Sequence, residues 1–225
     1  KRLLYGSVSL ALLFILGGYL GFKYFNQHYP LPEITVTPSP VVLDRQGEIL
    51  RQFTNEEGIF RYWVELREVS PLYLKALIAY EDRFFYRHFG VNPLATGRAG
   101  LQWLKHGHII SGSSTLTMQV TRLLEPHERS FKGKLWQMFR ALQLESQLTK
   151  EEILTLYLNL APMGGNLEGV ETASRRYFSK PSSQLNANEV ALLVALPQRP
   201  SLYRPDLYPL KAQEARNKVL SRMAK

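Results

Sequence analysis

The chain has no cysteine. Disulfides, thiolate metal sites and cysteine catalysis are therefore excluded, while an oxidising compartment is allowed and not established. It has no zinc-finger spacing and no aromatic and glycine pattern of a single-strand reader. A formal net charge of +9 and a pI of about 9.7 thus come without a nucleic-acid motif, and no nucleic-acid partner is expected. The basic balance suits anionic lipid or a phosphorylated substrate instead. Internal repeats are absent. His106 and His108 in "KHGHI" lack an acid or third histidine at ligand spacing, so they read as loop residues and no metal site is expected.

Charge is missing from one long run, "LLYGSVSLALLFILGGYLGF", the 20 residues from 3 to 22. That length lets a helix cross a hydrocarbon core of roughly 30 Å. A cleaved signal peptide has a shorter apolar part of roughly 7–15 residues and a small-residue cleavage site. Here the run continues into the bulky "KYFNQHYP", so residues 1–23 are expected to be a retained anchor. Tyr19, Tyr24 and Phe25 suit its interfaces. Lys1 and Arg2 precede it and only Lys23 follows closely, which puts the N-terminus in the cytoplasm and the rest outside. Residues 24–40, with "PLPEITVTPSP", read as a Pro-rich linker, and residues 41–225 as one domain. The start without Met and the finish within "AQEARNKVLSRMAK" suggest a part of a longer chain.

"VVLDRQGEILRQF" reads as a short hairpin turning at Gln46-Gly47. From Ser70 the pattern is mostly helical. After Ser70-Pro71, Leu74, Leu77, Ile78, Glu81 and Phe85 follow helical spacing through "AYEDRFFYRHFG". Glu81 falls on the apolar stripe and Asp82 about 100° round. A carboxylate on such a stripe is partly desolvated and so a better proton acceptor near neutral pH. Spacing alone balances that against a solvated charge at a helix end.

"SGSSTLTMQVTRLL", residues 111 to 124, is a small-residue turn entering a helix that Ser114 or Thr115 can cap. Thr115, Gln119 and Arg122 form a polar stripe beside Leu116, Val120 and Leu123. A helix N-terminus with hydroxyls and an arginine suits an anion such as a pyrophosphate, but without other support ordinary capping is the better explanation of the turn. "KLWQMFRALQLESQL", residues 134 to 148, carries an apolar stripe ended by Glu145. "TKEE" and "NANE" match capping boxes and open "ILTLYLN" and "VALLVAL".

Together these stretches resemble the peptidoglycan glycosyltransferases, glycosyltransferase family 51, the N-terminal domains of class A penicillin-binding proteins. "EDRFFYRHFG" resembles the first motif and "GSSTLTMQVTR" the second, usually Gly-Gly-Ser-Thr-Ile-Thr-Gln-Gln with a Lys three further on. "GKLWQMFRALQLE" and "KEEILTLYLN" resemble the third and fourth, and "ASRRYFSKP" with "LNANEVALLVALPQRPSLYRP" the fifth and its sequel. "LAPMGGNLEGVETAS" leans towards the 1C branch. The likeness covers roughly residues 40 to 225.

The resemblance implies a mainly α, two-lobed, lysozyme-like fold with the anchor in its usual place, to which the short β-hairpin read above is added. It implies polymerisation of lipid II into β-1,4 glycan strands, with inversion at C1 and release of undecaprenyl pyrophosphate. Its expected partners are lipid II, the lipid-linked growing glycan, the membrane and other cell-wall synthesis proteins. The expected location is the bacterial inner membrane, with a single pass and the catalytic domain on the periplasmic side; a transpeptidase domain is expected to follow. By its match to the first motif Glu81 is the general base. Ser114, Thr115, Gln119, Arg122 and Lys134 match positions lining the donor and pyrophosphate cleft. No cofactor is evidently required, though a divalent cation, Mg or Mn, assists some relatives. By composition and family alike, "NPLATGRAGLQWLKHGHII" suits an interfacial surface.

Three departures stand out. Met118-Gln119 replaces two glutamines, and Arg122 replaces the lysine. Where the third motif carries a second catalytic Glu, this chain has Gln137, which cannot titrate. Glu145 is the candidate substitute, and restoring an acid at 137 is expected to be tolerated. Two rival readings remain. One is a lysozyme-like hydrolase, which usually needs two carboxylates across the sugar. The other is a membrane-anchored scaffold that binds lipid II with little turnover.

Overall fold

The computed structural model describes residues 2–47, 49–106, 114–128 and 130–224, with the side chains of 2–12, 14, 15, 101 and 103–106 outside that set. Two compact units divide the chain, residues 1–34 and 35–225. In the first, α1 (Arg2–His28) covers the uncharged run. It continues past Lys23, so residues 24–28, expected in the linker, are helical, and the prolines at 30 and 32 follow the helix end. Among the described residues no helix is long and apolar enough to cross a membrane. Most side chains of the expected anchor lie outside that set.

The second unit opens on the expected hairpin. Strands β1 (Val41–Leu43) and β2 (Ile49–Gln52) pair antiparallel, with Val41 opposite Gln52. The Asp44 carboxylate accepts from Gln46 N–H at 2.9 Å, and Gly47 takes φ +84°, a backbone state open to glycine at little cost. A second pairing was not foreseen: β3 (Phe60–Arg61) runs parallel to β4 (Leu167–Glu168). Two-residue strands carry no readable period. The pair is tied by Arg61 Nη2 donating to Glu168 Oε2 at 2.6 Å.

The rest is mainly α, as expected: α2 (Pro71–Glu81), α3 (Pro93–His106), α4 (Leu116–Leu124), α5 (Phe131–Gln147), α6 (Lys150–Leu160), α7 (Val170–Phe178), α8 (Ala187–Ala195) and α9 (Pro209–Met223). Both sequence-read capping boxes form, Thr149 with Glu152 and Asn186 with Glu189. Ser130 starts α5 by accepting from Gly133 N–H at 3.0 Å. Beyond its polar first turn helix α8 is apolar all round, and Val190 to Ala195 are all buried. Such a helix must be covered on every side, and α2, α7 and α9 pack against it. Helix α6 is buried along most of its length and packs on α4.

The expected helix through "AYEDRFFYRHFG" stops earlier. Helix α2 ends at Glu81, and Asp82 takes φ −156° and ψ 74°. Asp82 is therefore not the next step round a helix. Its backbone turns out of α2, and its side chain is buried.

Asn159 in α6 shows how the core fixes loop backbone. Its Oδ1 accepts from Val64 N–H, and its Nδ2 donates to Val64 O and Thr155 O, at 2.8–2.9 Å. The side chain is fully buried. Each buried group left unsatisfied costs about 1–3 kcal/mol, so Asn159→Ala is expected to destabilise the fold by about 2–4 kcal/mol in urea unfolding. Asn159→Asp, which sets a carboxylate oxygen against two carbonyls, is expected to do no better. A loss below about 0.5 kcal/mol in both variants would show that solvent replaces those bonds.

Candidate active site

The site is assembled by one buried carboxylate. Asp82 accepts from His88 Nε2 at 3.0 Å and from the N–H of Leu116, the first residue of α4, at 3.0 Å. It thereby ties the end of α2 to the start of α4 and satisfies one of the free N–H groups there. Thr115 is the N-cap, accepting from Met118 N–H at 3.1 Å while donating to Gly90 O at 2.5 Å. Gly90 has φ +75°, and a Cβ there would meet Ala141 O at 2.6 Å. The loop from Asp82 to Gly90 is thus clamped between α4 and α5 with no room for a side chain at its last residue.

Glu81 and Gln119 meet across this junction. Gln119 Nε2 donates to Glu81 Oε2 at 2.9 Å. Gln198 Nε2, from the turn after α8, donates to Glu81 Oε1 at 2.9 Å. Both donors are neutral, and Glu81 forms no ion pair among the described residues. Tyr73 of α2 and Tyr157 of α6 are fully buried within the field of Glu81. Burial first, and the Glu81 charge second, push both phenols up and keep them neutral.

The cations lie on α4 and α5. Lys134 Nζ donates to Ser114 Oγ at 2.6 Å and to Gln137 Oε1 at 3.0 Å. Neither Lys134 nor Arg122 has a carboxylate partner among the described residues. Burial, followed by the charge of Arg122, lowers the pKa of Lys134 to about 8. Arg122 is exposed and acts on both Lys134 and Tyr157. The far end of α4 is fixed to α5 by Glu125, which accepts from Arg140 Nε at 2.7 Å and from Trp136 Nε1 at 3.1 Å.

Of the residues expected in the cleft, the structure groups Glu81 with Gln119, and Lys134 with Ser114 and Gln137, beside Arg122. Thr115 is buried and engaged as a cap and strut. Glu145 does not belong to the group. Its side chain is 4% exposed and accepts from Thr117 Oγ1 at 2.6 Å and Lys150 Nζ at 2.5 Å, joining α4, α5 and α6. Those contacts give Glu145 a structural part at that junction. Met118 is fully buried, so the departure from two glutamines puts a core residue where a polar one was expected. Gln198 was missed, and so was the part played by Asp82. The side chain of His106 and the whole of His108 lie outside the described residues.

The donor set does not fit a divalent ion. Both Glu81 oxygens are held by carboxamides, Glu145 is ion-paired to Lys150, and an amide stands at 137 beside the Lys134 ammonium. Among the described residues no three His, Asp or Glu side chains cluster as ligands, and a hard cation asks for several oxygens.

A family model described as Transglycosylase matches residues 46–224. The chain belongs to the transglycosylase family. Among its relatives, penicillin-binding protein 1C of Escherichia coli (strain K12) is 54% identical over 87% of this chain and 26% of its own length. Penicillin-binding protein 1A of Pseudomonas aeruginosa is 38% identical over 82% of this chain and 22% of its own length. This transglycosylase chain therefore spans about a quarter of the length of the curated relatives it matches. The expected lean towards the 1C branch agrees with the higher identity. The crystal structure of penicillin-binding protein 1A from Haemophilus influenzae matches with a TM-score of 0.45 and 22% identity, over 84% of this chain and 18% of that one. That likeness is too loose to bear on the fold.

Position 137 explains its own departure. Lys134 can only donate and Met118 O can only accept; the Gln137 amide offers Oε1 to the first and Nε2 to the second. A carboxylate would satisfy the lysine and face a carbonyl oxygen. Gln137→Glu is therefore expected to lower stability by about 1–3 kcal/mol rather than to be tolerated; an unchanged or raised melting temperature would contradict this.

Lys134 also sets a pH dependence. Its ammonium is present below about 8 and lost above it, so affinity for inorganic pyrophosphate should fall between about pH 7 and about pH 9. Lys134→Arg, charged throughout that range, should flatten the profile. Titration calorimetry of the two proteins checks this, and parallel pH profiles would remove Lys134 from the anion site.

Proposed function

We propose that this transglycosylase is a peptidoglycan glycosyltransferase that polymerises lipid II into β-1,4 glycan strands. The observation that carries the reading is a carboxylate, Glu81, held only by neutral donors, one of them on the same helix as Arg122, while Arg122 and the Lys134 it acts on lack carboxylate partners among the described residues. The first is suited to take a proton; the second pair is suited to a leaving anion.

In the reaction Glu81 accepts the proton of the 4-hydroxyl of the lipid II N-acetylglucosamine. The hydroxyl oxygen forms the new bond to C1 of the lipid-linked chain, on the face opposite the leaving group. The C1–oxygen bond to the pyrophosphate breaks and its electron pair departs with undecaprenyl pyrophosphate, so the α-linkage becomes β. Lys134 and Arg122 offset the negative charge that grows on that pyrophosphate, and the Ser114 hydroxyl orients Lys134. Gln119 keeps Glu81 in place. Among the described residues no second carboxylate in this group supports water attack, which weakens the hydrolase reading.

Anchoring in the inner membrane, with the catalytic domain on the periplasmic side, belongs to the same proposal and is supported by the uncharged run of residues 3 to 22. Lipid-tailed substrates also fit the apolar side chains left in water around these helices, among them Leu94, Phe131 and Leu135. Other cell-wall synthesis proteins are the proposed protein partners.

Glu81→Gln is expected to lower polymer yield from labelled lipid II by about 10²–10⁴-fold, the usual worth of a general base, with the circular dichroism spectrum unchanged. Substantial polymer from that variant would sink the base assignment. Binding of lipid II by the wild-type chain without any product would favour the scaffold reading.

A further inference from the structure

Gln198 was not among the residues expected in the cleft, yet it makes one of the two bonds that hold Glu81. The two donors differ in setting. Gln119 is half-buried on α4, the helix tied down by Asp82 and Glu125, and it takes Oε2. Gln198 is exposed and takes Oε1 at 2.9 Å. Its backbone is fixed: Leu196, at the start of the same turn, is fully buried, and Arg199 N–H bonds back to Leu196 O at 3.2 Å. Only the side chain is left to move, a few rotatable bonds on a rigid base.

An incoming hydroxyl reaches Glu81 from solvent. It finds Oε2 covered by the half-buried donor and Oε1 covered by the exposed one. A carboxamide N–H and a sugar O–H compete for the same kind of lone pair. We propose that Gln198 is an acceptor-side positioning residue: its carboxamide holds Oε1 of Glu81 in the resting protein and yields that oxygen to the acceptor hydroxyl. The inference rests on the glycosyltransferase reading for the identity of the acceptor, but the contact itself does not. Among the described residues, titratable or charged groups around Glu81 include Tyr73 on α2 and Tyr157 on α6, Arg122 on α4 acting on Tyr157, Lys134 on α5 acted on by Arg122, the adjacent Asp82 held by His88 and Leu116 N–H, and Arg222 on α9, which donates to Tyr80 O. None of them occupies the Oε1 side by a hydrogen bond.

The test uses the full chain in detergent, with lipid II as substrate. In Gln198→Glu two carboxylates face each other across the former bond and share a proton. The acid limb of the rate–pH profile should move to higher pH, and the rate at neutral pH should fall about 10²-fold. In Gln198→Ala the competitor is gone and the carboxylate is less well held. The KM for the acceptor should stay level or fall while kcat drops about tenfold. Melting temperatures should stay near wild type, because Gln198 is exposed. Acid limbs that superimpose in all three proteins would overturn the proposal, and so would a rise in KM with kcat unchanged in Gln198→Ala. A wild-type chain that makes no polymer would defeat the glycosyltransferase reading instead. The clamp is then judged without substrate, from the side-chain amide resonances of protein labelled with ¹⁵N-glutamine. Gln198 signals that shift in Glu81→Gln support the contact, and signals that stay in place refute it.

Discussion

The arrangement depends on the carboxylate of Asp82. It is an anion in the protein interior, and its oxygens are occupied by an imidazole N–H and by the first free N–H of α4. Burying a charge is tolerated only with such partners. Here the partners come from different stretches of chain, so satisfying the charge brings those stretches together. The end of α2, the loop to Gly90 and the start of α4 are fixed in one act. Glu81, the neighbouring residue, is thereby held opposite Gln119, one turn into α4. The two adjacent acids divide the work: one is spent on holding the site together, and the other is left with only neutral company.

Around that junction the helices are fixed by unlike means. Lys150 donates to both Glu145 and His88 O, and its ammonium lies over the Phe85 ring. Glu125 closes the opposite end of α4 against Arg140 and Trp136. Charges of both signs are consumed in these struts. Besides Glu81, what remains without an opposite charge among the described residues nearby is cationic, on Arg122 and Lys134. The electrostatic character of the cleft is thus what is left after the scaffold has used its share.

The sequence revealed whatever is local. Helical spacing put Glu81 on an apolar stripe. The capping boxes at Thr149 and Asn186 announced two helix starts, and Gln46-Gly47 announced a turn, because each depends on residues a few positions apart. Asp82 was read as one more step of a helix, since its partner at Leu116 lies 34 positions away and leaves no periodic trace. Glu145 looked like Glu81, an acid ending an apolar stripe, and only the fold shows that Lys150 claims it. Gln198 sits in a proline-flanked turn inside a stretch that resembles the family, but its partner Glu81 lies 117 positions away and no local pattern links the two. The pairing of β3 with β4 joins two-residue segments 107 positions apart at Arg61 and Glu168.

The amide at position 137 has a consequence for how such a chain can change over time. It sits between a group that only gives protons to hydrogen bonds and a group that only takes them, and no other side chain of its size serves both. A single codon change towards glutamate keeps one neighbour and offends the other; a change towards lysine or arginine does the reverse. Either route needs a second alteration in a neighbouring residue before it is neutral. The position therefore works as a ratchet: once the amide is seated, drift back to an acid meets a barrier set by the protein's own packing, and lineages that carry it should hold it together with the lysine one helical turn before it.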